Sequence, residues 1–412
     1  MSIKIALIGN VCNNMYNIGV ALRKHTDIVP HLYLGDKTDI HTNPVFNDPL
    51  AESQGDWVFI DSHWEPTRLF KNLDFRFVRK LSNEGYDAII VSDVGVWLAP
   101  FIKNSKFFFW TTGADITRMP FPTTFGFLYT GIKAKLKAKY MGSLQRWGIR
   151  HIDYIMTQPF MPFQYALQKL GVPHEKVSNA YFPIIIDLNI FNYDAKYKER
   201  IAPDNYGKLE KFRFKIFHPS RLMINKNSAL YNAGQWKGNE MLLKGLRAFI
   251  DKYNTDDICI VLPDRSHSKD VDLFNSVVDE LQLQKNIVWV KGQTTEGFNK
   301  EEMVALYSSS DLVVDEFGVG WFGSVVVEAA ACARPVMCHL DQEAMQQLYP
   351  WHPIISVNTP ETIADETAKL YFDKGYSESK ALESRRWAEE FHSQENAGRI
   401  YAEQIKMLIT QD

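Results

Sequence analysis

Short apolar runs alternate with amphipathic stretches along the whole chain. "IKIALIG", "YDAIIVS", "KFFFWTTG" and "IDYIMTQ" are runs of branched and aromatic residues, the pattern of strands buried on both faces. Next to the first of them, "NMYNIGVALRKH" puts Met15, Ile18 and Leu22 on one stripe of a helix. The alternation restarts after "YFPIIIDLNIF", with "FKIFHPS", "DICIVLP", "NIVWVKG" and "DLVVDEF" as strands and "GNEMLLKGLRAFIDKY", "VDLFNSVVDEL" and "KEEMVALYSSS" as helices. Such alternation makes parallel α/β sheets, and its restart predicts two Rossmann-like domains, 1–185 and 186–392. The last helix, about 393–412, is expected to pack back onto the first domain. The charged stretch 192–211 reads as a surface excursion just beyond the hinge. Parallel sheets bind ligands outside the carboxyl ends of their strands, so the expected site is a cleft between the domains.

The stretch "DEFGVGWFGSVVVEAAACARPV", Asp315 to Val336, reads as strand end, glycine turn and helix. That geometry aims backbone N–H groups at an anion, here a phosphate held near Gly320, Gly323 and Ser324. Glu328 lies four residues after Ser324 on the same helix face, about 6 Å along the axis at 1.5 Å per residue. An acid so set back meets ribose hydroxyls without repelling the anion. Glycines also serve plain tight turns, and an acid early in a helix suits the macrodipole, so a purely structural reading stays open beside it.

Composition narrows the partners. The chain has 412 residues and a net charge of -3, which gives no overall argument for a nucleic-acid partner. The N-terminal "MSIKIALIGN" has too short an apolar run for a signal peptide, and no run approaches the ~20 residues of a membrane span, so a cytoplasmic protein is expected. Cys12, Cys259, Cys332 and Cys338 have no metal spacing and are expected to be reduced, buried thiols; the 11 histidines are scattered. No metal and no cofactor is expected. One local feature stands out, "GIKAKLKAKYMGSLQRWGIRH" (131–151), preceded by the apolar "FPTTFGFLY". Its Lys133, Lys135, Lys137, Lys139, Arg146 and Arg150 suit either a solvated helix face or contact with anionic lipid heads at the inner face of a membrane.

Two cations follow predicted strand ends in the second half. Arg221 ends "HPSR" and Lys237 opens "KGNEMLLKGLRAF", placed to stabilise negative charge on a leaving diphosphate, or else to sit as ordinary surface cations. Between them lies a long loop, Leu222 to Trp236. In the first half, "IGNVCNNMYNIG" offers a turn built from Gly9, Asn10, Asn13 and Asn14, since asparagine tolerates left-handed backbone and donates hydrogen bonds. Asp93 and Asp115 follow predicted strands, where a carboxylate either accepts a hydrogen bond from a substrate hydroxyl or caps a turn.

These motifs together resemble the family 4 retaining glycosyltransferases (glycosyl transferases group 1), whose α/β architecture, GT-B, is two Rossmann-like domains facing each other across a cleft. "HPSR" with "KGNEMLLKGLRAF", "VKGQTTEGFNKEEMVALYSSSDLVV", "GWFGSVVVEAAACARPV" and the hinge "YFPIIIDLNIF" carry the likeness in order, strongly from Tyr181 to about Leu340, and "TTGADI" is similar to the family's N-domain loop. There are departures: Gly320 stands where the family has a first Glu, Thr112 where it has His, and Ala333 where Gly is usual. The resemblance implies sugar transfer from a nucleotide sugar to a glycan, lipid-linked or other hydroxyl acceptor with retention and without metal, in cell-surface polysaccharide or glycoconjugate synthesis. It implies Arg221, Lys237 and Asp115 as catalytic residues, and Gly292, Glu316, Gly320, Phe322, Gly323, Ser324 and Glu328 as the donor site. Gly9, Asn10, Asn13, Asn14, Asp93 and Thr112 would form the acceptor side. The missing first Glu leaves a GT-B sugar-nucleotide epimerase, or a non-catalytic nucleotide-sugar binder, as the alternative.

Overall fold

The structure is a computed structural model that describes residues 2–35, 42–44, 56–66, 72–122, 131–178, 181–228, 231, 236–264, 269–292 and 297–410. The chain forms two compact units, Met1–Ile185 with Ser393–Asp412, and Ile186–His392. In the first, β1 (Lys4–Ile8), β2 (Val29–Leu34), β3 (Val58–Ile60), β4 (Ala88–Val91), β5 (Lys106–Trp110) and β6 (Tyr154–Met156) form one sheet in the order β3-β2-β1-β4-β5-β6. In the second, β7 (Phe214–Phe217), β8 (Ile258–Pro263), β9 (Ile287–Val290), β10 (Leu312–Val314), β11 (Val336–Cys338) and β12 (Ile355–Ser356) run β12-β11-β10-β7-β8-β9. All pairs are parallel. Counted from its own first strand, each sheet has the order 3-2-1-4-5-6. The winding reverses between β1 and β4 and between β7 and β10, which opens a crevice at the carboxyl ends of those strands.

The strands are apolar on both faces because helices cover both. Ile5 and Leu7 of β1 share a core with Met15, Ile18 and Leu22 of the Asn14–His25 helix and with Ala397, Tyr401 and Ile405 of the Gln394–Thr410 helix. Each Ile, Leu or Met side chain among them contributes about 1.5–3 kcal/mol on full burial. Gly398 permits this packing: a Cβ there would lie 2.9 Å from the Ala21 carbonyl oxygen. The Tyr401 hydroxyl accepts from Trp110 Nε1 at 3.0 Å and donates to the Pro183 carbonyl at 3.2 Å. In the second unit, Leu242, Leu246 and Phe249 of the Asn239–Tyr253 helix pack with Ile258, Ile260 and Leu262 of β8.

Two expectations need correction. Residues 192–211 contain short helices, Tyr197–Arg200 and Pro203–Leu209, the second of which buries Asn205 and Leu209, and Ile201 between them is buried too. Asn205 is held on both sides of Lys291, donating to its carbonyl at 2.8 Å and accepting from its N–H at 3.2 Å, so the segment is part of the second unit's body. All four cysteines are free thiols, but Cys12 is exposed.

Candidate functional site

The carboxyl ends of β7 and β10 bring together a polar network that nothing local in the chain would assemble. The Ser220 hydroxyl donates to Asp315 Oδ1, Gly323 N–H donates to Asp315 Oδ2 at 3.2 Å, and Lys237 Nζ lies 3.6 Å from Asp315 Oδ1. Asp315 is buried, so the ammonium and the two donors offset the cost of removing its charge from water. Asn239, wholly buried, accepts from Met223 N–H at 2.7 Å and donates to His218 Nε2 at 2.7 Å. That bond leaves Nδ1–H of His218 to donate to the Val314 carbonyl at 3.3 Å. Lys237 is fixed through its backbone, since Phe317 N–H donates to its carbonyl at 2.9 Å. Gly238 then turns with φ +66°, and its bare Cα passes close to Phe317. Arg221, the residue after Ser220, is exposed.

The glycine turn is tied from within. Glu316 accepts from the N–H groups of Val319 (2.6 Å), Gly320 (3.1 Å) and Trp321 (3.2 Å). Burial pushes its carboxyl up to about 7, against the lowering pull of Lys237 and of the Val319 and Trp321 amides. Being 2% exposed, Glu316 organises the turn and does not face a ligand, which corrects its place in the donor site. Phe322 is corrected likewise: it lies inside an aromatic cluster with Trp321, Tyr349, Trp387 and His392. Gly323 N–H is already engaged by Asp315, which leaves the N–H groups of Ser324 and Val325 to face outward from the Ser324–Ala331 helix. No side chain caps that helix. Gly320 has φ +84°. At Gly292 a Cβ would lie 2.2 Å from the Gly297 carbonyl oxygen, so glycine there lets the loop close on itself; 293–296 lie outside the described residues, as do 229–230 and 232–235 of the long loop.

Glu328 sits one helical turn behind Ser324, half-buried, and accepts from the Tyr307 hydroxyl at 2.7 Å. Burial raises its carboxyl to about 7, with Tyr307 and Lys300 opposing and Asp315 adding to the rise. Tyr307 was not legible as a site residue because it reaches Glu328 from another helix, Lys300–Ser309.

The matching crevice of the first unit lies at β1 and β4. Gly9 has φ +82°, and a Cβ there would meet the Ser92 carbonyl at 2.8 Å. Asn13 is left-handed as expected (φ 56°), but its side chain and that of Asn10 are spent inside the loop: Asn10 Nδ2 donates to Asn13 Oδ1 and to the Thr42 carbonyl, both at 2.8 Å, and Asn10 Oδ1 accepts from Tyr16 N–H at 2.9 Å. Asn10 and Asn13 therefore build the turn from inside, and Asn14, half-buried, begins the helix. Asp115 is fully buried and accepts from the N–H groups of Thr112 (3.0 Å), Gly113 (2.9 Å) and Asp93 (3.2 Å). Burial, with the Asp93 charge second, raises it to about 6. Its buried oxygens, bonded to three backbone N–H groups, position the Thr112–Gly113 loop, the turn-capping one of the two roles expected for it. Asp93 (φ 54°) is half-buried, its carboxyl raised by burial. Gln145, missed because it lies in the basic run, donates to the Asp93 and Asp115 carbonyls at 3.1 and 3.0 Å and accepts from Trp97 Nε1 at 2.9 Å.

The basic run is the Ile132–Arg150 helix, with Ala138, Gly142, Gln145, Gly148 and Ile149 facing inward. Lys133, Lys135, Lys137 and Lys139 are exposed, but Arg146 turns back onto the Pro120 carbonyl. Ile132, Leu136 and Tyr140, four residues apart, are 78%, 61% and 51% exposed and form an outer stripe. Beneath the helix is a cavity of about 570 Å³ walled by Trp97, Ala114, Met119, Ala138 and Met141, with Arg118 and Lys137 among its polar groups. From residue 123 on, the apolar run that precedes the helix lies outside the described residues. Among the described residues no helix is long and apolar enough to cross a membrane, and no group of three or more His, Cys, Asp or Glu is placed to hold a metal ion.

No protein-family model matches the chain, and no curated protein sequence matches it. Solved structures do. HepE from Anabaena, in complex with UDP and glucose, is similar at 15% identity over 98% of this chain and 100% of that one, with a TM-score of 0.63. A glycosyltransferase from Rickettsia africae is similar at 15% identity over 100% of both chains, TM-score 0.64. A sucrose-phosphate synthase from Thermosynechococcus elongatus is similar at 15% identity over 98% of this chain and 99% of that one, TM-score 0.61. The chain thus has the GT-B fold, an α/β architecture with two parallel six-stranded sheets.

Proposed function

We propose that the chain is a metal-independent glycosyltransferase of the family 4 type, moving a sugar with retention from a nucleotide sugar to a hydroxyl acceptor. One observation carries the reading. At the carboxyl ends of β7 and β10, Lys237 is held on buried Asp315 beside an uncapped helix N-terminus, with Glu328 one turn behind it. The open Ser324 and Val325 amides and the positive helix end suit a diphosphate, and the Glu328 carboxylate suits a ribose diol. UDP complexes of HepE, which shares the fold, support this. In the proposed step the bond from the anomeric carbon to phosphate breaks as the acceptor oxygen attacks the same face, and the acceptor proton passes to the leaving phosphate oxygen. Arg221 and Lys237 stabilise the charge that collects there.

The acceptor belongs to the first unit in this reading, at Thr112, Asp93 and the adjoining turn. The apolar cavity beneath the basic helix supports an acceptor with an apolar portion, hence a lipid-linked one and a role in glycoconjugate assembly. The lysine-flanked stripe of Ile132, Leu136 and Tyr140 supports docking of this helix on an anionic membrane.

Arg221 is the cleaner test because it is exposed. Arg221→Ala should keep its melting temperature and lose about 10² to 10³ in kcat, more than it loses in donor affinity. Arg221→Lys should recover little, since one ammonium cannot form a bidentate fork on phosphate. Lys237→Ala should show the same kinetic loss plus a lower melting temperature, because it strands buried Asp315. Single-turnover donor hydrolysis reads both, and near-normal turnover in folded Arg221→Ala would remove the residue from the site. The glycine at position 320 favours a second reading, an epimerase or a binder without turnover. An epimerase would change the nucleotide sugar with no acceptor present.

A further inference from the structure

Resting on the glycosyltransferase reading, we infer that Asp315 is a positioning residue of the donor site, whose carboxylate fixes the Lys237 ammonium for the leaving diphosphate while weakening diphosphate binding. Three segments meet on that one carboxylate. The Ser220 hydroxyl, beside Arg221, donates to Oδ1, and Lys237 Nζ lies 3.6 Å from the same atom. Gly323 N–H, from the residue before the Ser324–Ala331 helix, donates to Oδ2 at 3.2 Å. Asp315 itself is anchored by the sheet. It follows β10 directly, its own N–H donates to the Met337 carbonyl of β11 at 3.3 Å, and it is only 3% exposed.

Lys237 needs such an anchor. An ammonium on a flexible four-carbon stem is a mobile point charge, whereas catalysis requires it at one place. Its side chain stays 23% exposed, so part of it is open to a ligand while Asp315 holds it from within. The charge of Asp315 opposes donor binding. A helix N-terminus with a lysine attracts an anion, yet the chain sets its own anion there and gives it the Gly323 amide. A second anion placed beside it is repelled. In return, one fixed group aligns the segment of Arg221, the lysine and the helix start, and the rate of transfer depends on that alignment. Asp315 thus weakens the bound ground state and favours the reacting one, so its loss should move affinity and turnover in opposite directions.

Asp315→Asn keeps the shape and removes the charge. The double variant Asp315→Asn, Lys237→Ala removes both charges, so that neither is left buried without the other. Both are compared with wild type and Lys237→Ala, below the melting temperature of each. Titration calorimetry with UDP, GDP and dTDP reads affinity, and single-turnover hydrolysis of their glucose and galactose conjugates reads the step. For the nucleotide that binds, Asp315→Asn should hold the free diphosphate about threefold more tightly than wild type and turn over about tenfold more slowly. In the Lys237→Ala background the same substitution should change turnover by less than about twofold, since no ammonium is left to hold. Normal turnover in folded Asp315→Asn would overturn the inference, as would a loss of the same size with and without Lys237. A parallel loss of affinity and turnover would also overturn it, because a merely structural group moves both together. Should Asp315→Asn alone not fold, Lys237→Ala and the double variant decide: equal turnover supports the role, and a further tenfold loss removes it. All these failures leave the nucleotide site standing. A wild-type chain that binds none of the diphosphates would overturn the glycosyltransferase reading, and this inference with it.

Discussion

At the level of single residues, acids divide by what their oxygens already hold. Asp115 and Glu316 each accept several backbone N–H groups and are spent on a loop, whereas Glu328 has one donor among the described residues, Tyr307. Helical spacing alone foretold the set-back of Glu328 from Ser324. The fate of Glu316 was not legible, because nothing in "DEFGVG" says that the turn folds back onto the acid. Ser220 and Asn239 escaped for a related reason: Ser220 meets Asp315 from 95 positions away. Glu328→Gln is expected to weaken nucleotide binding by about 1–3 kcal/mol with the fold intact, the cost of losing a charged hydrogen bond, and isothermal titration reads it. The pH dependence has a definite sign. Folded Glu328 keeps its proton up to about 7 against an ordinary 4.5, so its contribution to stability is complete below 4.5 and is lost as pH rises through 7. Binding runs the other way, since ribose hydroxyls donate to the carboxylate. Nucleotide affinity should rise between pH 6 and 8 in wild type by more than in Glu328→Gln, and equal pH profiles would refute the ribose role.

At the level of elements, apolar runs and helical stripes located β1 and β4 to β10, and missed β2, β3, β11, β12 and the helices Pro360–Phe372 and Lys374–Trp387. β3, β11 and β12 are two or three residues long and β2 carries a proline and a histidine, although length alone does not decide, since β6 and β10, three residues each, were found. The end of the Ser324–Ala331 helix shows an element under local strain. Ala333 N–H donates to the Ala330 carbonyl at 2.9 Å and Arg334 N–H to the Ala329 carbonyl at 3.1 Å, the paired bonds of a Schellman motif. The motif places its C′ residue left-handed, and Ala333 has φ 53°. Relief of left-handed strain, about 1–2 kcal/mol, outweighs the added freedom of glycine in the unfolded chain, about 0.5–1 kcal/mol. Ala333→Gly should therefore stabilise by roughly 0.5–1 kcal/mol in reversible urea unfolding; a loss of stability would show that the Ala333 methyl packs better than its backbone suffers. On the Ile132–Arg150 helix, co-sedimentation with phosphatidylserine vesicles should exceed that with phosphatidylcholine vesicles and fall when Leu136 and Tyr140 are both changed to Ser. Binding indifferent to anionic lipid would remove the membrane proposal.

At the level of the molecule, strand–helix alternation predicted two parallel sheets, but not their order, because β1 pairs with β4 across some eighty residues and pairing partners are not written in local periodicity. The order matters because it locates both crevices. β7 and β10 come together only through pairing of Leu312 with Ile216, which brings "HPSR" and "DEFGVG" to one edge. Each unit has its own buried core, one built on β1 and the last helix, the other on β8 and the Asn239–Tyr253 helix. A ligand that binds only the native form stabilises it by RT ln(1 + [L]/Kd), about 2.7 kcal/mol at a hundredfold excess over Kd. With the nucleotide held entirely by residues 220–328, that stabilisation belongs to the second unit. At such an excess, hydrogen exchange of the slowest amides in β7, β8 and β10 should slow by about a hundredfold, as the same free energy requires. Those of β1 and β4 should keep their rates. Equal slowing in both sheets would mean that the two cores open as one cooperative unit, and slowing confined to β1 and β4 would place the nucleotide in the first unit, against the assignment of Glu328 and Lys237.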